Sequence, residues 1–138
     1  MFKYRKTQVV VISLLLTTLI SNTSSASNVI TERSNHKVVI IKVNEYFSVQ
    51  LHSTYWTFDK LTGQNIKQIA APVVIPTAPG SNAPGNCQIA GMGCGTLTWK
   101  LKAVAKGSTT VSASRTSCGE ALRCTPEQST YSVKIVVR

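Results

Sequence analysis

Acidic side chains are scarce in this chain. Five Asp and Glu (Glu32, Glu45, Asp59, Glu120, Glu127) stand against fifteen Lys and Arg in 138 residues. None of the five is paired in an acid/base arrangement, which removes the usual carboxylate chemistries. Histidine is scarcer still: His36 and His52 are the only two, neither has ligand spacing with a cysteine, and no Cys-x-x-Cys pair exists. A zinc site therefore has no donor set, and no metal is expected. There is no Gly-x-Ser-x-Gly elbow. His52 and Ser53 are adjacent, but neighbours on a strand face opposite sides of the sheet. Gly91-Met92-Gly93-Cys94-Gly95 has the glycines of a phosphate cradle, yet a strand pattern follows it and no helix N-terminus backs it. These deficits point away from an enzyme, from any cofactor and, with no recognition signature beside the positive charge, from nucleic acid.

Long apolar runs are missing too. The one candidate, Val9 to Ile20, spans about 12 residues, whereas a membrane-crossing helix needs about 20. Lys3, Arg5 and Lys6 precede it, and Ser24 and Ala26 lie three and one before a cleavage point. This is the layout of a secretory signal peptide over residues 1–26. The expectation is a secreted or periplasmic protein beginning near Ser27, with no stable membrane insertion after cleavage. Losing the three leader cations lowers the formal charge from +10 to +7, still enough to hasten encounter with acidic partners. So small a domain buries a limited share of its surface. Four cysteines, Cys87, Cys94, Cys118 and Cys124, offer staples in an oxidising compartment. Four allow three pairings, and the close spacings favour Cys87–Cys94 and Cys118–Cys124, whose effect would be to hold loop shape.

No segment past the leader has helical periodicity. Residues 27–36 read as a flexible lead-in, and residues 37–138 as one β-domain. Lys37 to Val43 reads as a buried strand. Phe47, Val49 and Leu51 alternate with Tyr46, Ser48, Gln50 and His52; Leu97, Trp99, Leu101 and Ala103 alternate with Thr98, Lys100 and Lys102. Val111 and Ala113 point inward from Ser108 to Ser114, and Tyr131, Val133, Ile135 and Val137 from the last strand. Weaker strands are expected over Tyr55 to Phe58, Asn65 to Ala70 and Val73 to Ile75. Residues 72–95 are otherwise loop, rich in Pro and Gly. About seven strands predict an all-β antiparallel sandwich with Trp56 and Trp99 in its core.

Three loops then remain to carry function: the break at Ser53, Thr54 and Tyr55; the glycine loop Gly91, Met92, Gly93, Cys94 and Gly95; and the cysteine-bearing loop opening with Arg115, Thr116 and Ser117. Loops on a rigid sheet are a common way to present a binding surface. The run from Gly93 to Val111, a glycine loop leading into the alternating strand Leu97-Thr98-Trp99-Lys100-Leu101 and a turn at Gly107, resembles the chagasin-type inhibitors of papain-like cysteine peptidases. So does Phe47-Ser48-Val49-Gln50-Leu51 followed by Tyr55 and Trp56. The resemblance covers about 44–138 and implies an immunoglobulin-like sandwich, acting as a monomer, whose three loops occlude a peptidase cleft. It places the eleven residues just named at the interface. The sequence departs from that family in its short first loop and in lacking Pro and Trp after Arg115. A secreted immunoglobulin-like binding or surface module without inhibitory activity is the alternative.

Overall fold

The computed structural model describes residues 28–78, 87, 91 and 93–138, so the expected signal peptide lies outside it. Its described residues form eleven strands. One sheet has the order β1-β3-β7-β5, from Asn28–Ile30, Tyr46–His52, Gly95–Ala103 and Ile66–Gln68, with β6 (Val73–Pro76) also paired to β7. The facing sheet runs β2-β11-β8-β4, from Val38–Ile41, Thr130–Val137, Gly107–Ser114 and Thr57–Phe58. A small ribbon pairs β9 (Ser117–Gly119) with β10 (Leu122–Arg123). One helical turn, α1 (Pro126–Ser129), then leads into β11. The architecture is the expected all-β, immunoglobulin-like sandwich.

The two-residue alternation explains the core. Phe47, Val49 and Leu51 of β3 stand opposite Leu101, Trp99 and Leu97 of β7. In the other sheet, Tyr131 and Val133 of β11 stand opposite Ala113 and Val111 of β8. All ten side chains are buried, and they merge into one cluster with Trp56, Ala103, Ile135 and Val137. Opposed apolar pairs in each sheet therefore face one another across the gap and remove a continuous apolar surface from water.

The described strands number eleven where about seven were expected, two of their pairings (β1–β3 and β2–β11) are parallel, and two segments differ from the sequence reading. Residues 27–36, expected to be a flexible lead-in, supply β1, which runs parallel to β3 with Ile30 buried beside Val49, and a 3-10 turn at Glu32–Ser34. An isolated Asn-Val-Ile offers no period to read; the pairing arises only once β3 presents a free edge. The Val38-to-Ile41 strand is at the sheet's edge and not buried through its length: Ile41 is 1% exposed, but Val38 is 60% and Ile40 55% exposed. A β-branched run looks alike whether one face or both are covered.

At the end of the sandwich that carries the loops, the Tyr131 hydroxyl donates to the Thr31 carbonyl at 3.3 Å. Burial pushes the Tyr131 phenol above the ordinary tyrosine range, and the Glu32 carboxylate adds to the push. The folded state thus holds this proton more tightly than the unfolded chain does. Its contribution is complete below about pH 10 and is lost as pH rises through the raised pKa. Tyr131→Phe is expected to flatten the alkaline loss of stability in urea melts taken from pH 8 upward; an identical slope would count against the assignment. Leu101→Ala, at a fully buried position, is expected to cost about 2–5 kcal/mol. Val38→Ala on the exposed face is expected to stay within about 0.5 kcal/mol. Denaturation midpoints of the two variants check the burial difference directly.

Candidate functional site

The antiparallel register of β3 and β7 ends with His52 opposite Thr96. It therefore delivers the segment after β3 and the segment before β7 to the same end of the sandwich. The first loop turns sharply there: Ser53 adopts φ of 154°, and its hydroxyl oxygen accepts the Tyr55 backbone N–H at 3.1 Å. Ser53 is buried, so its side chain acts within the turn. The Thr54 N–H donates to the Gly93 carbonyl at 2.8 Å, and the Tyr55 hydroxyl donates to the Gly91 carbonyl at 3.0 Å. The first and second loops are thus tied together by two hydrogen bonds.

Those ties explain the glycines. Gly93 has φ of 69°, and a Cβ there would lie 2.5 Å from the Tyr55 ring. Gly95 has φ of 152°, and a Cβ there would lie 2.6 Å from the Ile75 carbonyl oxygen of β6. Only a residue without a side chain permits both the backbone geometry and the close approach. Met92 lies outside the described residues. Cys94 accepts the Thr77 N–H on its carbonyl at 3.1 Å. A hydrogen bond from Cys87, with burial adding to it, pushes the Cys94 thiol up to about 11. The expected Cys87–Cys94 partners therefore interact with one another.

The third loop joins the same end. The Glu120 N–H donates to the Gly91 carbonyl at 2.8 Å, and the Glu120 carboxylate packs beside Gly91. Cys118 and Cys124 form the expected disulfide. It clamps the β9–β10 ribbon, while the Cys124 N–H donates to the Thr116 carbonyl at 3.1 Å. Ser117 pairs with Arg123 in that ribbon, and Thr116 is exposed at its base. Arg115 is held inward: its guanidinium stacks 4.3 Å from the Trp56 ring centre, and its Nε donates to the Gln128 carbonyl at 2.9 Å. Burial pulls its pKa down, and the Glu32 carboxylate opposes that.

Every described candidate in the three loops thus lies at one end of the sandwich, although Ser53 and Arg115 serve the scaffold more than the surface. The sequence reading missed Glu120, which fastens the third loop to the second, and Glu32. The Glu32 carboxylate accepts the His52 backbone N–H and contacts His52 Nδ1 at 3.0 Å, pinning the end of β3 just before the first loop. Leu122 and Arg123 were missed as well: both are exposed on the clamped ribbon, Leu122 to 57%. No spacing signals these contacts. Glu120 was visible only as the lone acid within the third loop. Among the described residues no cluster of His, Cys, Asp and Glu could hold a metal ion.

No family profile matches the chain, and no curated protein matches it in sequence. Solved structures do match in shape. The crystal structure of the cysteine protease inhibitor EhICP2 from Entamoeba histolytica superposes with a TM-score of 0.53 at 14% identity, covering 80% of this chain and 94% of that one. The solution structure of amebosin gives a TM-score of 0.50 at 17% identity, covering 81% and 98%. At these identities the likeness is one of fold, and this chain shares with a cysteine protease inhibitor the sandwich that the glycine-loop resemblance implied.

Proposed function

We propose that this chain is a secreted inhibitor of papain-like cysteine peptidases, and that its three loops occlude the peptidase cleft without a covalent step. One observation carries the reading: loops separated by some forty and thirty residues are fastened to one another through the carbonyls of Gly91 and Gly93. The fold shared with a cysteine protease inhibitor supports it. A surface already hydrogen-bonded and, in its third part, disulfide-clamped gives up little conformational freedom on docking. Glycine backbone at its centre admits close approach. The cationic balance of the chain would favour encounter with an acidic target. The protein is proposed to act as a monomer beginning near Ser27. One set of contacts favours the second reading, an immunoglobulin-like binding module: Ser53 is buried in its own turn, and Arg115 is engaged by Trp56 and Gln128.

Incubating the processed protein with papain and measuring residual peptide hydrolysis tests the proposal. Stoichiometric loss of hydrolysis is expected, and full hydrolysis at large molar excess would favour the binding module. Gly93→Ala is expected to weaken inhibition at least tenfold, about 1.4 kcal/mol, by displacing Tyr55 from Gly93. The sandwich itself should persist, so far-ultraviolet circular dichroism should be unaltered; undiminished inhibition would take the loop junction out of the interface. Peptide mapping of the secreted protein without reductant is expected to recover Cys118–Cys124 and, after oxidation in that compartment, Cys87–Cys94. Cross-pairs between the two loops would contradict both assignments.

A further inference from the structure

Away from the loop cluster, the sandwich opens along one side. β4 is the last strand of its sheet and β5 the last of the facing one, and the chain crosses between them through residues 59–65. Where these edges part lies a cleft of about 500 Å³, lined by Phe58, Leu61, Ile66, Pro72 and Trp99, with Asp59, Lys60, Lys67 and Gln68 around it. That volume suits a small organic molecule. Two aromatic rings form part of the wall: Phe58 and Trp99 have centroids 5.0 Å apart and planes inclined at 39°.

Trp99 contributes to the lining; its indole N–H, like that of Trp56 outside the cleft, is buried without an acceptor in the protein. Neither Lys60 nor Lys67 makes an ion pair among the described residues. The cleft's single acid, Asp59, accepts the Ser112 hydroxyl at 2.6 Å through one carboxylate oxygen and keeps its charge, so two cations stand against one anion in the lining. An apolar, aromatic wall with a net positive rim is complementary to one kind of molecule.

We propose that this cleft binds a small amphiphilic anion, an aromatic or other apolar body bearing a carboxylate or sulfonate. The body lies against Phe58, Leu61 and Trp99. The anionic oxygens meet the ammonium groups of Lys60 and Lys67. The site is independent of the peptidase-facing loops.

The probe is 8-anilinonaphthalene-1-sulfonate, with neutral N-phenyl-1-naphthylamine as its uncharged counterpart, titrated into the processed protein. One saturable site for the sulfonate is expected, with affinity at least tenfold above that of the neutral amine. The protein has two tryptophans, so nitrogen–proton correlation spectra show two indole signals. The Trp99 signal, assigned by its loss in Trp99→Phe, is expected to shift on binding while that of Trp56 stays. Lys60→Glu with Lys67→Glu, both at exposed positions, is expected to weaken binding at least tenfold. Lys134→Glu, elsewhere on the surface, should leave it within twofold, and papain inhibition should be unchanged in both. Equal binding by the Lys60/Lys67 variant and the parent, equal affinity for the two probes, or a Trp99 signal that does not move would each overturn the proposal. Should Trp99→Phe fail to fold, the lysine pair and the probe comparison still decide it.

Discussion

The pairing of β3 with β7 is the constraint on which the rest of the structure depends. Seven consecutive residues of each strand lie opposite one another, from Tyr46 with Lys102 to His52 with Thr96. Three of the pairs, Phe47 with Leu101, Val49 with Trp99 and Leu51 with Leu97, are apolar and buried. A shift of one residue in either strand would turn that strand's three apolar side chains outward, so the hydrophobic pattern itself fixes the register. Everything else takes its place from that ribbon. β1 adds to the free edge of β3, while β5 and β6 share the far edge of β7. The same register decides that the chain leaving β3 and the chain arriving at β7 meet.

Their meeting produces a surface of an unusual kind. Its contacts are made mostly by backbone carbonyls and N–H groups, and its side chains are largely committed inward: Ser53 to its own turn, Tyr55 to Gly91, and Arg115 to Trp56 and Gln128. Such a surface presents shape more than chemical groups. The β9–β10 ribbon is the exception. There the disulfide clamps a ribbon that carries Leu122 and Arg123, an apolar and a cationic side chain, both exposed. Shape complementarity with a few projecting groups is what occlusion of a cleft asks of a protein. It differs from catalysis, which asks for groups of matched acidity facing one another.

The fold was legible wherever burial on one face alternates with exposure on the other, and β3, β7, β8 and β11 read directly from Phe47, Trp99, Val111 and Tyr131 and their neighbours. β1 was not legible because three residues carry no period. The one-sided burial of Val38 to Ile41 was hidden because exposure of Val38 and Ile40 follows from their position at an edge, which local sequence does not encode. In the loops, the Cys118–Cys124 bridge followed from close spacing. Gly93 and Gly95 were recognisable as functional candidates. The reason they must be glycine, the Tyr55 ring and the Ile75 carbonyl, comes from residues distant in the chain. Glu120, Glu32 and the Arg115–Trp56 stack are long-range contacts of the same sort, and no periodicity announces them.

β6 carries Val73, Val74 and Ile75, each more than two-fifths exposed, on the outer border of its sheet. Three consecutive branched aliphatics with open backbone groups are an invitation to polymerise, since another extended chain could add there indefinitely. Proline brackets them. Pro72 precedes the strand, and Pro76 ends it opposite Gly95. Neither has an amide hydrogen to offer an incoming strand, and the span between them is too short for a lasting ladder. The sandwich thereby keeps a greasy margin from seeding fibrils by means of two exposed residues that contribute nothing to its core.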